Sequence, residues 1–204
     1  DGGAINNVPL GTLIDRGYRD IIMVRIFGPG REKKVKLPDD ANVLVVEPRV
    51  HLGNFVDFDP RKSVRNMKIG YYDAMRMLYG LKGKIYYIEE NREECYYLKQ
   101  LLQISPEAAE ELQRRRRGRM EEGTGLRRMM EEILPGLALE LRLGREWDYR
   151  DLYLGCLEAT ARLCRVPKYR IYTVEELYNA VKSRLAAMPS RRREELPAFS
   201  LFFQ

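Results

Sequence analysis

Two short, nearly unbroken apolar runs constrain this chain most: Asp20–Phe27 (DIIMVRIF) and Asn42–Glu47 (NVLVVE). Both are rich in β-branched residues, and Gly28-Pro29-Gly30 and Pro48 close them off. Runs of this length between turn residues read as strands, and a strand without polar alternation reads as covered on both faces. Such strands belong to the mainly parallel sheet of an α/β domain. The residues between them, Arg31–Ala41, are mostly polar and read as a surface loop or small ribbon.

Helix signals surround these strands. Pro9 suits the first turn of a short helix reaching about Asp15, with Gly17 placed to end it. Asp59-Pro60 opens a long helix that Gly80 ends, and Val64, Met67, Tyr71, Met75 and Leu78 recur at the spacing of a face packed on a sheet. Farther on, Asn91 with Glu94 has the form of a capping box before Cys95–Ile104, and Ser105-Pro106 opens another helix. The glycines of Gly118–Gly125 mark a turn, and Trp147–Cys164 reads as a helix. Thr173 with Glu176 caps one more helix, through about Ala187. The apolar end Phe199–Phe203 is expected to dock on the rest of the chain. The expected class is α/β, with an α/β part over residues 1–90 and a helical C-terminal region over residues 91–204.

The segment Asp1-Gly2-Gly3-Ala4-Ile5-Asn6-Asn7-Val8-Pro9-Leu10 carries the chemistry. It resembles the aspartate motif of patatin-like phospholipases, an Asp-Gly-Gly or Asp-Gly-Ala followed by an Asn-x-Pro segment. The likeness continues through the two strands and Asp57-Phe58-Asp59 to Gly70-Tyr71-Tyr72-Asp73-Ala74, less than half of the 204 residues. It implies part of a three-layer sheet with helices and a serine–aspartate dyad. In that family a serine in a G-x-S-x-G turn attacks the ester carbonyl, an aspartate acts as its base, and a glycine-rich loop forms the oxyanion hole. Asp1 is then the proton acceptor, with Gly2 and Gly3 completing the motif. An aspartate of ordinary pKa, about 4, is a weak base toward a hydroxyl. Burial in an apolar cleft and a direct hydrogen bond to the serine are what make it serve.

The serines of this chain are Ser63, Ser105, Ser183, Ser190 and Ser200, and none lies in G-x-S-x-G. The resemblance therefore implies the C-terminal part of a phospholipase or carboxylic ester hydrolase, inert alone and completed by an N-terminal segment that carries the serine and the oxyanion loop. No metal or organic cofactor is implied. The expected partners are a lipid or ester substrate, that N-terminal segment, and the membrane surface as a peripheral contact. A non-catalytic helical module binding a protein partner or an anionic surface is the alternative.

The remaining features read structurally. Net charge is +6, a weak general attraction for anions. The run Arg114–Arg117 with Arg119 is diluted by Glu110, Glu111, Glu121 and Glu122, so a solvated helix end is favoured over lipid, and nucleic acid is not expected. Tyr71-Tyr72, Tyr86-Tyr87 and Tyr96-Tyr97 read as packing residues before interfacial ones. His51, the only histidine, reads as a surface or packing residue. Cys95, Cys156 and Cys164 make no disulfide framework and fit a reducing cytoplasm. No apolar stretch approaches the roughly 20 residues of a membrane span.

Overall fold

Proline and glycine bound the first elements as their backbone preferences dictate. Pro9 precedes helix α1 (Leu10–Asp15), and Gly17 takes φ +89° to turn the chain into strand β1 (Asp20–Val24). Strand β2 (Asn42–Val46) lies parallel to β1, with Ile21 beside Val43 and Met23 beside Val45. Helix α2 (Pro60–Tyr79) starts where the Asp59 side chain accepts the Arg61 N–H at 2.8 Å. It ends at Gly80 in the left-handed conformation and packs on β2. The computed structural model describes residues 5–26, 30–54, 59–115 and 125–204. The chain divides into two compact units, Asp1–Leu81 and Lys82–Gln204.

Two expectations about the first unit are corrected. The strands are not covered on both faces. Burial alternates along them: Ile21 and Val46 are buried, while Ile22 is 63% and Val24 70% exposed. The apolar run therefore reported composition, and the pleat sends every second side chain to an uncovered face. The apolar stripe of α2 is likewise not its buried face. Val64, Met67, Tyr71 and Leu78 are exposed, and Ile69, Asp73 and Arg76 are buried, with Arg76 bonded to Asp73 at 3.0 Å. A buried ion pair can stand on a packed face in place of apolar residues, at a cost in desolvation.

The second unit has its own core. Strand β3 (Tyr87–Glu89) leads to helix α3 (Glu94–Leu102) and helix α4 (Pro106–Arg115). The expected Asn91–Glu94 capping box is absent: Glu93 occupies the cap position and makes no side-chain cap bond. Ser105 does cap α4, its Oγ accepting the Ala108 N–H at 3.2 Å. Helix α5 (Gly125–Arg128) runs through a π-helical turn, Met129–Ile133, into helix α6 (Leu134–Glu140). Pro135 accounts for that turn, because it lacks an N–H and crowds the preceding carbonyls; one wider turn relieves both.

Helix α7 (Tyr149–Leu163) is the axis of this unit, buried without a break from Leu152 to Leu154 and from Cys156 to Ala161. Around it pack α3, α6, helix α8 (Val174–Ala186) and the 3₁₀ segment Ala198–Phe203. Strand β4 (Ile171–Thr173) pairs parallel with β3 and runs directly into α8, where Thr173 and Glu176 form the expected capping box. A short helix α9 (Ser190–Glu194) precedes the apolar end, which docks as expected: Phe199, Leu201 and Phe203 are buried, and the Phe203 ring meets Tyr153 edge-on at 5.7 Å. The described residues make a mixed α/β chain of many helices and two small parallel sheets.

Candidate functional site

Asp1, Gly2 and Gly3 lie outside the described residues, and the site is built from the segment that begins at Ile5. The Asn6 side-chain oxygen accepts the Val8 N–H at 3.2 Å, a turn closed by asparagine, and the Lys33 N–H at 3.4 Å. The Asn7 N–H donates to the Arg31 carbonyl at 2.7 Å. The asparagines thus tie the Asn6–Val8 segment to the Arg31–Lys33 stretch. Arg25 anchors the far side of that stretch, reaching Glu32 at 2.5 Å and Glu47 at 3.6 Å.

Between these anchors lies a groove of about 390 Å³. Val8, Leu10, Met23, Val35 and Leu37 supply an apolar lining, Lys33 and Lys34 add cations, and Glu32 adds a carboxylate that Arg25 pairs.

Three of the serines and the histidine have local partners. Ser63 Oγ donates to the Asp59 carbonyl, Ser105 caps α4, and buried Ser200 donates to the Pro197 carbonyl at 2.7 Å. His51 is exposed, and its Nδ1 accepts the Gly53 N–H at 3.0 Å, a surface turn.

Two polar centres in the second unit were not anticipated from the sequence. Glu158, at the middle of α7 and 2% exposed, accepts three backbone N–H groups: Ile85 at 2.9 Å and Tyr86 at 2.7 Å on Oε1, and Lys84 at 2.9 Å on Oε2. The stretch is closed by reciprocal backbone bonds between Lys82 and Ile88. Its inner N–H groups have no strand partner, and the carboxyl supplies one. The second centre is Glu90, which accepts the Tyr97 hydroxyl at 2.7 Å and lies 3.5 Å from Arg150. Arg150 also bonds Asp148, the cap of α7, which forms a capping box with Asp151. Burial first, and then the bond to Glu90, pushes the Tyr97 phenol well above its ordinary pKa. Partial burial raises the Asp148 carboxyl, but the Asp151 N–H and Arg150 outweigh it and hold the group below the usual aspartate value. Both centres brace the second unit from within.

Arg114 and Arg115 do structural work at the end of α4. Both pair with Glu111, and Arg115 also donates to the carbonyls of Glu194, at 2.9 Å, and Leu196. The other arginines of that run lie outside the described residues. Tyr86, Tyr87 and Tyr97 are buried, whereas Tyr71 is exposed; Cys156 and Cys164 are buried free thiols, and Cys95 is exposed. Among the described residues no helix is long and apolar enough to cross a membrane. No family model, curated protein or solved structure matches the chain.

Proposed function

We propose that this chain is the C-terminal part of a patatin-like acyl hydrolase that cleaves phospholipid or other carboxylic esters. Asp1 is the general base, and the nucleophilic serine stands on a segment outside these 204 residues. The carrying observation is the order of elements after Asp1-Gly2-Gly3: the Asn7-Val8-Pro9 segment, α1, two parallel strands, then α2.

The state of the first unit favours a missing neighbour. Its buried apolar side chains, among the described residues, are Ile21, Val46, Ile69 and Leu81, too few to offset the ordering of the whole unit. Parallel sheets are as a rule covered on both faces, and two strands is the narrow end of the range for sheets. A further strand beside β1 or β2, with a helix over Ile22 and Val24, would complete a three-layer sheet. The groove beside the Asn6–Leu10 segment offers the acyl chain an apolar bed.

The chemistry is that of the dyad. Asp1 accepts the serine proton as the serine oxygen attacks the carbonyl, and returns it to the departing alcohol; water repeats the cycle on the acyl-serine. The test is to join a patatin-type G-x-S-x-G segment upstream, in cis or in trans, and measure p-nitrophenyl ester hydrolysis. The chain alone is expected to be inert and the joined protein active. Inactivity of a folded joined protein would move the reading to a non-catalytic interaction module, which the self-contained core of the second unit favours.

A further inference from the structure

We infer that the outer face of α2 is a docking surface for anionic phospholipid. The inference is independent of the acyl-hydrolase reading, since it rests on one helix and is read by binding rather than turnover.

Val64, Met67, Tyr71 and Leu78 are 54%, 75%, 60% and 59% exposed. At 3.6 residues per turn they fall within roughly a sixth of the helix circumference, in a stripe about 21 Å long. This stripe stands opposite Ile69, Asp73 and Arg76, the side the fold buries. A helix that packs one face inward ordinarily turns charge outward; this one turns methionine, tyrosine and leucine outward.

The charge beside the stripe selects the occupant. Arg61 and Lys68 stand along one flank of it, with Arg65 farther round, and none of the three forms an ion pair with a described residue. The only acid between Pro60 and Tyr79 is Asp73, buried and bonded to Arg76. An apolar stripe with a free cationic flank and no exposed carboxylate matches an anionic bilayer surface. The apolar groups enter the acyl boundary, Tyr71 sits at the headgroup level, and the cations meet phosphates.

Cosedimentation of the 204-residue chain with two kinds of vesicle tests this: phosphatidylcholine alone, and phosphatidylcholine partly replaced by phosphatidylglycerol. The chain is expected to bind the anionic vesicles and to release them as salt rises. Arg61→Glu with Lys68→Glu should lower that binding on the order of tenfold or more. Met67→Ser with Tyr71→Ser should lower it as well, with far-UV circular dichroism unchanged because both side chains lie outside the core. Equal binding to both vesicles, binding that ignores both double variants, or no binding would each overturn the proposal, the last leaving the stripe to a polypeptide.

Discussion

The Glu158 side chain accepts the backbone N–H of Tyr86 at 2.7 Å across 72 residues of sequence, from the middle of a buried helix. The Lys84 and Ile85 N–H groups converge on the same carboxyl. Gly83 makes the approach possible. It sits at φ +89°, and a Cβ there would lie 2.5 Å from Glu158 Oε1. Removing the acceptor strands three donors, each worth about 1–3 kcal/mol when buried without a partner. Glu158→Ala is therefore expected to cost on the order of 3 kcal/mol or more, and Gly83→Ala roughly 1–3 kcal/mol from backbone strain alone. Urea unfolding measures both losses. Hydrogen exchange localises the first, since the amides of Lys84, Ile85 and Tyr86 should lose protection in Glu158→Ala. Unchanged protection there would refute the role.

Alkali should unfold the second unit through its buried phenols. Burial, the largest cause, pushes Tyr86, Tyr97 and Tyr153 well above the ordinary tyrosine value. Each folded-state pKa is raised, so the folded chain holds the proton more tightly than the unfolded chain does. The stability from this is complete below pH of about 10 and declines as pH climbs from there toward the folded-state values. A pH titration monitored by tyrosinate absorbance should show part of the signal emerging only with the loss of far-UV circular dichroism. All thirteen tyrosines ionising while the helical signal stays intact would contradict this.

Acid should weaken the start of α7. Asp148→Ala removes the acceptor of the Asp151 N–H, 2.7 Å away, and the partner of Arg150. Such a cap contributes about 0.5–2 kcal/mol. The Asp148 carboxyl is held below its ordinary value, so its contribution is present above pH of about 4 and fades as pH falls through the folded-state value. Urea midpoints of the two proteins should differ most near neutrality and converge in acid. A gap of the same size at both ends would rule the mechanism out.

Local chemistry was legible where a short rule decides the outcome. Asp59-Pro60, Ser105-Pro106 and the Thr173–Glu176 box all cap as read, and Gly17 and Gly80 both take positive φ. The Asn91–Glu94 reading failed because an S/T/D/N-x-x-E pattern does not fix its own register; Glu93 takes the cap position instead. The stripe of α2 misled for a different reason. Periodicity reveals which residues share a face, not which face the fold covers, and on α2 the covered face carries Asp73 and Arg76. Glu158 was invisible because nothing local distinguishes it; its partners lie more than seventy residues upstream. Asp148 had a signal, the Asp148-x-x-Asp151 spacing, that a search for Glu or Gln at the fourth position passes over.

The proposed ester cleavage, by this chain joined to a serine-bearing segment, turns on Asp1 as the group that takes the serine proton. The most direct measurement is the turnover of a p-nitrophenyl ester by the protein that joins the serine segment to this chain, compared with its Asp1→Asn variant. Asparagine keeps the size and removes the basicity, so kcat should fall by about 10²–10⁴ while circular dichroism and the urea midpoint hold. Turnover unchanged in Asp1→Asn would contradict the assignment.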